Sequence, residues 1–309
     1  MTRTNLQRLL LILIGMASAV AAGAAETYTN PVIDEIGPAD PCVIFFEGTY
    51  YLYPTGDNTS YHVYVSTDLV HWTKKGKIFE PGDVNVWAPD VFHDPAGGRF
   101  YLYYTVNRRI GVAIADRPDA TFVDHATFFE NAIDAHMFRD DDGRYYLYYV
   151  QLPGFRIHVQ PMKSPTQKQG EPIELIYPTE PWEKKRGDVT EGPWMLKHNG
   201  TYYLLYSGTG ADSLDYAIGY ATATKPTGPF KKYAGNPIVA RGKEALGPGH
   251  GCVVTDGDNN LWSVYHQQKD DTQRWNRFVC IDPLWFDEDG ILHGKATRGA
   301  PQPAPVFPE

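Results

Sequence analysis

The chain of 309 residues contains only three cysteines, Cys42, Cys252 and Cys280. So small and odd a number excludes a disulfide-stapled scaffold and allows at most one bridge. Cys42 and Cys252 sit in apolar, strand-like runs and read as buried free thiols, and the spacing fits neither a zinc site nor a redox pair. Positive charge is also scarce: Lys+Arg 28 against Asp+Glu 37 gives −9, which argues against a nucleic-acid binder that relies on phosphate contacts. Nothing sustains a 3.6-residue apolar period for long, so the pattern holds no helical bundle. Gly 29 and Pro 24 are spread without period, which excludes collagen and low-complexity readings. What is abundant is aromatic: Tyr 21, Phe 14 and Trp 7 make 14% of the chain, enough apolar surface to exclude a disordered acidic tail.

Arg3 and Arg8 precede an apolar stretch from Leu9 to Met16 and an Ala-rich segment ending at Ala24 and Ala25. This is the layout of a secretory signal peptide, cleaved so as to remove residues 1–24 and leave the protein secreted or periplasmic. The loss of two positive charges leaves −11 on the mature chain. No other segment is long and apolar enough to span a bilayer, so no membrane contact is expected after cleavage.

A repeat organises the remainder. Tyr50-Tyr51-Leu52-Tyr53, Phe100-Tyr101-Leu102-Tyr103, Tyr145-Tyr146-Leu147-Tyr148, Tyr202-Tyr203-Leu204-Leu205 and Leu261-Trp262-Ser263-Val264 align as strands, each after a Gly-, Asp- or Asn-containing hairpin turn. Intervals of 50, 45, 57 and 59 residues between their second positions lie in the range of propeller blades. The expected fold is all-β, a single five-bladed β-propeller of four-stranded blades over residues 27–300, with 301–309 as a tail. The last blade looks short after Phe286, and Thr27 to Val32 is expected to complete it across the ring closure.

Counting back from the aligned aromatics places Asp40, Asp90, Asp134, Glu191 and His250 at matching positions, 11 or 12 residues earlier. Equivalent positions in radial blades converge at one end of the central channel. Any one Asp-Pro pair reads as turn capping, but several carboxyls at one mouth repel each other and point to function. Converging acids in an aromatic-lined cleft suit carbohydrate: glycoside hydrolysis needs one protonated carboxyl for the leaving oxygen and one ionised carboxylate to activate water or attack.

Asn30-Pro31-Val32, Ala39-Asp40-Pro41, Trp87-Ala88-Pro89-Asp90, Ile133-Asp134, Asp140-Asp141-Asp142-Gly143 and Glu191-Gly192-Pro193 resemble the motifs of glycoside hydrolase family 43, from Asn30 to about Gly290. The resemblance implies inverting hydrolysis of arabinose- or xylose-containing oligo- or polysaccharides, with galactan- and galactofuranose-acting members as the alternative. Carried over by motif, Asp40 is the general base, Glu191 the general acid, and Asp134 the carboxylate that tunes and orients the acid. It also implies that Arg277 contacts substrate, and that His250 sits at the channel centre and holds a cation such as calcium, directly or through water; a hydrogen-bonded structural histidine is the alternative. Asp90 either binds sugar hydroxyls or fixes its blade, and Trp87 forms a sugar-binding wall or packs in the core. Trp194, Trp275 and Phe155 line subsites or belong to core and rim. The insertion from Pro178 to Asp188 reads as a solvated basic loop or as an overhang that shapes leaving-group subsites. No cofactor is required for the chemistry. A related fructan-hydrolysing propeller would carry an Arg-Asp-Pro motif, which is missing. A non-catalytic glycan-binding propeller would not need all three acids.

Overall fold

A computed structural model describes residues 26–307, so the expected signal peptide lies outside the described residues. Five antiparallel sheets follow one another along the chain. The first blade is built from Ala39–Phe46, Thr49–Thr55, Tyr61–Ser66 and Thr73–Phe79, and the second from Val86–Asp94, Arg99–Val106, Arg109–Ala115 and Val123–Glu130. In the third, Ala132–Arg139, Tyr145–Gln151 and Arg156–Ser164 are joined by two short strands, Gln167–Lys168 and Ile173–Ile176, which both pair the third strand. The fourth comprises Thr190–His198, Thr201–Gly208, Ala217–Ala223 and Lys231–Lys232; the fifth comprises Gly249–Thr255, Leu261–Gln268, Arg277–Phe286 and Leu292–Gly294. The only helical element among the described residues is a single 3-10 turn, Pro181–Glu183. The fold is thus the expected five-bladed propeller.

The repeated aromatic strand is the second of each blade. Its residues alternate between the two faces of their sheet, and both faces are covered by neighbouring blades, so Tyr50, Tyr53, Tyr103, Tyr148, Tyr149, Tyr206 and Tyr265 are all buried. Their hydroxyls reach partners in other segments: Tyr53 donates to Pro118 O, Tyr103 to Pro165 O and Tyr148 to Pro226 O, at 2.9, 2.7 and 2.7 Å. The Tyr content therefore serves blade-to-blade packing, with each polar tip satisfied on the adjoining loop.

Ring closure differs from expectation. The fifth blade supplies its own fourth strand, Leu292–Gly294, so Thr27 to Val32 is not needed there. Thr27–Tyr28 pairs instead with Gln302–Pro303, and the following residues cross to the third strand of blade five, where Val32 N donates to Val279 O at 3.0 Å. Asn30 is the rivet. Its amide nitrogen donates to Ile281 O (2.7 Å) and Asp282 Oδ2 (3.1 Å), while its oxygen accepts from Ile281 N (2.9 Å). The side chain is buried, so loss of these bonds strands polar groups away from water. Asn30→Ala is expected to cost on the order of 3 kcal/mol, read as a lower midpoint in urea with an unchanged slope.

Candidate active site

The innermost strand of every blade opens with the same irregularity. Register shifts fall between Ala39 and Cys42, Trp87 and Asp90, Ile133 and His136, Glu191 and Trp194, and Gly249 and Cys252. At each bulge one residue is left-handed: Asp40 (φ 48°), Ala88 (39°), Asp134 (58°), Gly192 (57°) and His250 (46°). Bulges of this kind re-aim a side chain at a sheet end, and for non-glycine residues they cost about 1–3 kcal/mol each. Gly192 is the position where a side chain has no room, since a Cβ would sit 3.1 Å from the His250 ring.

This register corrects the five-membered set drawn from the sequence. The bulge-equivalent residues are Asp40, Ala88, Asp134, Gly192 and His250. Glu191 lies one position before its bulge and Asp90 two positions after. Counting from the aromatic strand hid the shift because the first hairpins differ by up to two residues in length. The consequence is spatial. Asp40, Asp134, Glu191 and His250 line an open cleft of about 780 Å³, whereas Asp90 lies beneath it.

Asp90 fixes its blade. Its carboxylate accepts from Met137 N (2.9 Å), meets His136 Nδ1 (3.1 Å) and receives the Cys42 thiol at 3.6 Å. Trp194 is not a subsite wall either: its ring stacks on His136 at 4.1 Å, below the carboxyls. There the channel narrows to a chamber of about 20 Å³, room for about one water. Cys42, Asp90, His136 and Trp194, all two places past a bulge, line this chamber.

The other aromatics expected at subsites do reach the cleft. Trp87, Phe155 and Trp275 line it, together with Arg277, Asn58, Asn131 and Arg108. Trp87 is held by its indole N–H on Asn58 Oδ1 at 2.8 Å, and Trp275 lies under the Arg277 guanidinium, 5.3 Å from its ring centre. The Pro178–Asp188 insertion is pinned to blade four instead of hanging over the cleft. Glu183, fully buried, accepts from Tyr206 OH and Lys232 Nζ, both at 2.7 Å, and Trp182 packs on Tyr206.

Electrostatics divide the three carboxyls. Burial alone would raise Asp40, but Arg277, His250 and His266 outweigh it and hold the carboxyl well below the usual range. Arg277 Nη1 donates to Asp40 Oδ1 at 3.0 Å, and the Nδ1 atoms of His266 and His250 lie 3.1 and 3.5 Å from the same oxygen. His266 is itself pushed down to about 4 by burial and by Arg277, so it acts as a neutral imidazole. Glu191 is pushed up to about 7 by burial and by the Asp40 charge, against a hydrogen bond from Tyr216 OH (2.8 Å). Asp134 is likewise raised to about 7, by burial and by its two carboxyl neighbours. Its Oδ2 accepts from Gly192 N at 3.1 Å, the peptide next to Glu191. At mildly acidic pH the cleft therefore holds one carboxylate and two carboxylic acids.

Neither His266 nor Tyr216 was singled out by the sequence. His266 stands four residues past the aligned aromatic of blade five, where other blades carry Thr55, Thr105, Val150 and Ser207, so a lone imidazole there was a readable departure. Tyr216 precedes the third strand of blade four and had no such signal. Among the described residues no group of three or more His, Cys, Asp or Glu side chains is placed to hold a metal. The His250 imidazole faces Asp40 and Asp134 (3.9 Å), and its backbone N–H is taken by Ser207 Oγ. The protein donors around His250 thus do not build the oxygen-rich shell that calcium requires.

A propeller whose central cleft separates ionised from protonated carboxyls has the equipment of a glycosidase. Residues 28–292 match the pattern of Glycosyl hydrolases family 43, and the chain belongs to that family. It is similar to beta-D-galactofuranosidase xynD of Aspergillus niger, 31% identical over 82% of this chain and 81% of the relative. A xylosidase/arabinosidase of Bacteroides ovatus is 28% identical, over 82% and 93% respectively. Among solved structures, a thermostable family-43 glycoside hydrolase superposes with a TM-score of 0.84 at 35% identity, over 91% of this chain and all of that one. The protein is accordingly a hydrolase of O-glycosyl bonds whose substrates are oligo- or polysaccharides, and the family's chemistry needs no cofactor.

The raised carboxyls carry a stability cost with a definite pH window. Below the unfolded value of about 4.3 both states of Glu191 are protonated. As pH rises to about 7 the unfolded chain ionises first, so stability falls across that interval. Glu191→Gln and Asp134→Asn are expected to raise the melting temperature at pH 8, by the equivalent of roughly 2–3 kcal/mol each, and to leave it nearly unchanged at pH 4. Paired calorimetric scans at the two pH values check this.

Proposed function

We propose that the protein hydrolyses plant cell-wall glycans with inversion, releasing arabinofuranose or xylose. Asp40 is the general base, Glu191 the general acid, and Asp134 the group that tunes and orients the acid. The observation that carries the reading is the split of one cleft into a carboxylate kept ionised and a carboxylic acid kept protonated. Asp40 takes a proton from water as the water attacks the anomeric carbon. Glu191 gives its proton to the departing glycosidic oxygen, so the bond breaks without expelling an alkoxide. Asp134, which accepts from the Gly192 N–H next to Glu191, sets the acid's position. Arg277 keeps Asp40 charged and, with Trp87, offers the sugar a charged and an aromatic contact.

The substrate class is drawn from the xylosidase/arabinosidase relative and from the aromatic lining of the cleft. A galactofuranose-releasing activity is the second reading, supported by the 31% identical galactofuranosidase. The reading takes residues 1–24 as an export signal, residues 27–300 as the catalytic unit and 301–309 as its tail, with the enzyme working outside the cytoplasm. No helix among the described residues is long and apolar enough to cross a membrane.

Initial rates on aryl arabinofuranoside, xyloside, galactoside and galactofuranoside decide among the sugars; no hydrolysis anywhere in the panel would favour a binding role. On the preferred substrate, kcat/KM is expected to hold in mildly acidic solution and to decline as pH rises through about 7, because Glu191 then loses the proton it must donate. Asp40→Asn should abolish turnover. Glu191→Gln should lower kcat by about 10²–10⁴ on natural glycosides and far less on activated aryl glycosides, whose leaving groups need little protonation. Proton NMR of the first-formed sugar should show the inverted anomer. A retained anomer would make Asp40 a nucleophile and overturn its role as base.

A further inference from the structure

Tyr216 and His266 stand behind the two carboxyls and touch both. The rings are fully buried and stack with centres 5.5 Å apart and planes 16° from parallel. Tyr216 OH donates to Glu191 Oε1 at 2.8 Å, while His266 Nδ1 meets Asp40 Oδ1 at 3.1 Å. His266 Nδ1 also accepts the Asp40 backbone N–H at 3.2 Å, and Nε2 has no partner. The space for the stack is provided by Gly249, where a Cβ would fall 2.1 Å from the Tyr216 ring.

We propose that Tyr216 is a positioning residue for the proton donor, and that its stack on His266 braces acid and base against each other. The proposal rests on the reading of Glu191 as general acid. With Oε1 engaged as an acceptor, the acid's proton belongs on Oε2, the oxygen left for the glycosidic oxygen. The hydroxyl selects which oxygen delivers the proton and where, a contribution lost if the carboxyl rotates. It also favours the ionised form, and so keeps the acid from becoming too weak to give up its proton. The charged and titratable groups facing this pair are Asp40, Asp134, Arg277 and His266, with Asp212 farther out and already engaged by Arg186.

Tyr216→Phe keeps the ring and its stack and removes only the donor. In the full chain, kcat on glycosides with poor leaving groups is expected to fall about tenfold, with less than about a twofold loss on activated aryl glycosides. The alkaline limb of kcat/KM should move up by about one pH unit, because a hydrogen bond to the carboxylate is gone. An unspecific structural defect would depress both substrate types alike and leave the limb in place. Carboxyl carbon NMR, with Glu191→Gln identifying the resonance, follows the Glu191 titration without any need for turnover. A higher midpoint in Tyr216→Phe supports the proposal; equal midpoints with an unchanged leaving-group dependence overturn it. In the wild-type chain the Tyr216 ring carbon bearing oxygen should shift in step with Glu191, and a flat trace overturns the proposal independently of any variant. A wild type inactive on every glycoside, with that titration intact, would instead remove the hydrolase reading of the site.

Discussion

One buried ion pair organises this molecule. Arg277 belongs to the last blade and Asp40 to the first, so the bond between them both spans the closure of the ring and sets the charge at its centre. A lone carboxylate at that depth would take up a proton, because burial penalises the charged form heavily. The guanidinium reverses the outcome for Asp40, whereas Glu191, held up by its burial and then by the Asp40 charge, keeps its proton. Burial and this pairing together assign opposite states to two chemically similar groups. Closure of the fold and preparation of the chemistry share one strand, since Asn30 at the seam bonds Ile281 on the strand that begins with Arg277.

The repetition of the blades explains how such a site can be built on strands instead of flexible loops. Each inner strand is forced into a left-handed residue at its mouth end. That backbone strain is compensated by the regular pairing on either side of it. Different side chains at the five bulges give different functions to one geometry: two carboxylates, one imidazole, one alanine and one glycine.

Much of this was legible in the residues. The Tyr-Tyr-Leu-Tyr strands at near-constant spacing carry the blade count, because a strand covered on both faces must be aromatic and apolar wherever it recurs. The carboxyls stood out as charged interruptions of apolar strands. What stayed hidden was the register of the bulge. The bulge is common to all blades, but the hairpins behind it vary in length, so Asp90 and Glu191 were placed level with Asp40 when they lie on either side of that level. Trp194, which the sequence leaves open between subsite and core, falls on the core side, stacked on His136 beneath the carboxyls. His266 stands at the repeat position whose Thr55, Thr105 and Ser207 counterparts cap the bulge of the next blade, but Tyr216 comes from a loop that no repeat aligns with the acids, and only three-dimensional proximity joins the two.

The narrow floor made by Trp194, His136, Asp90 and the Cys42 thiol has a kinetic meaning. With the channel reduced to about 20 Å³ under the carboxyls, nothing as large as a sugar can leave downward. A product seated on that floor must return through the opening by which the glycan arrived, so release and the next arrival share one doorway.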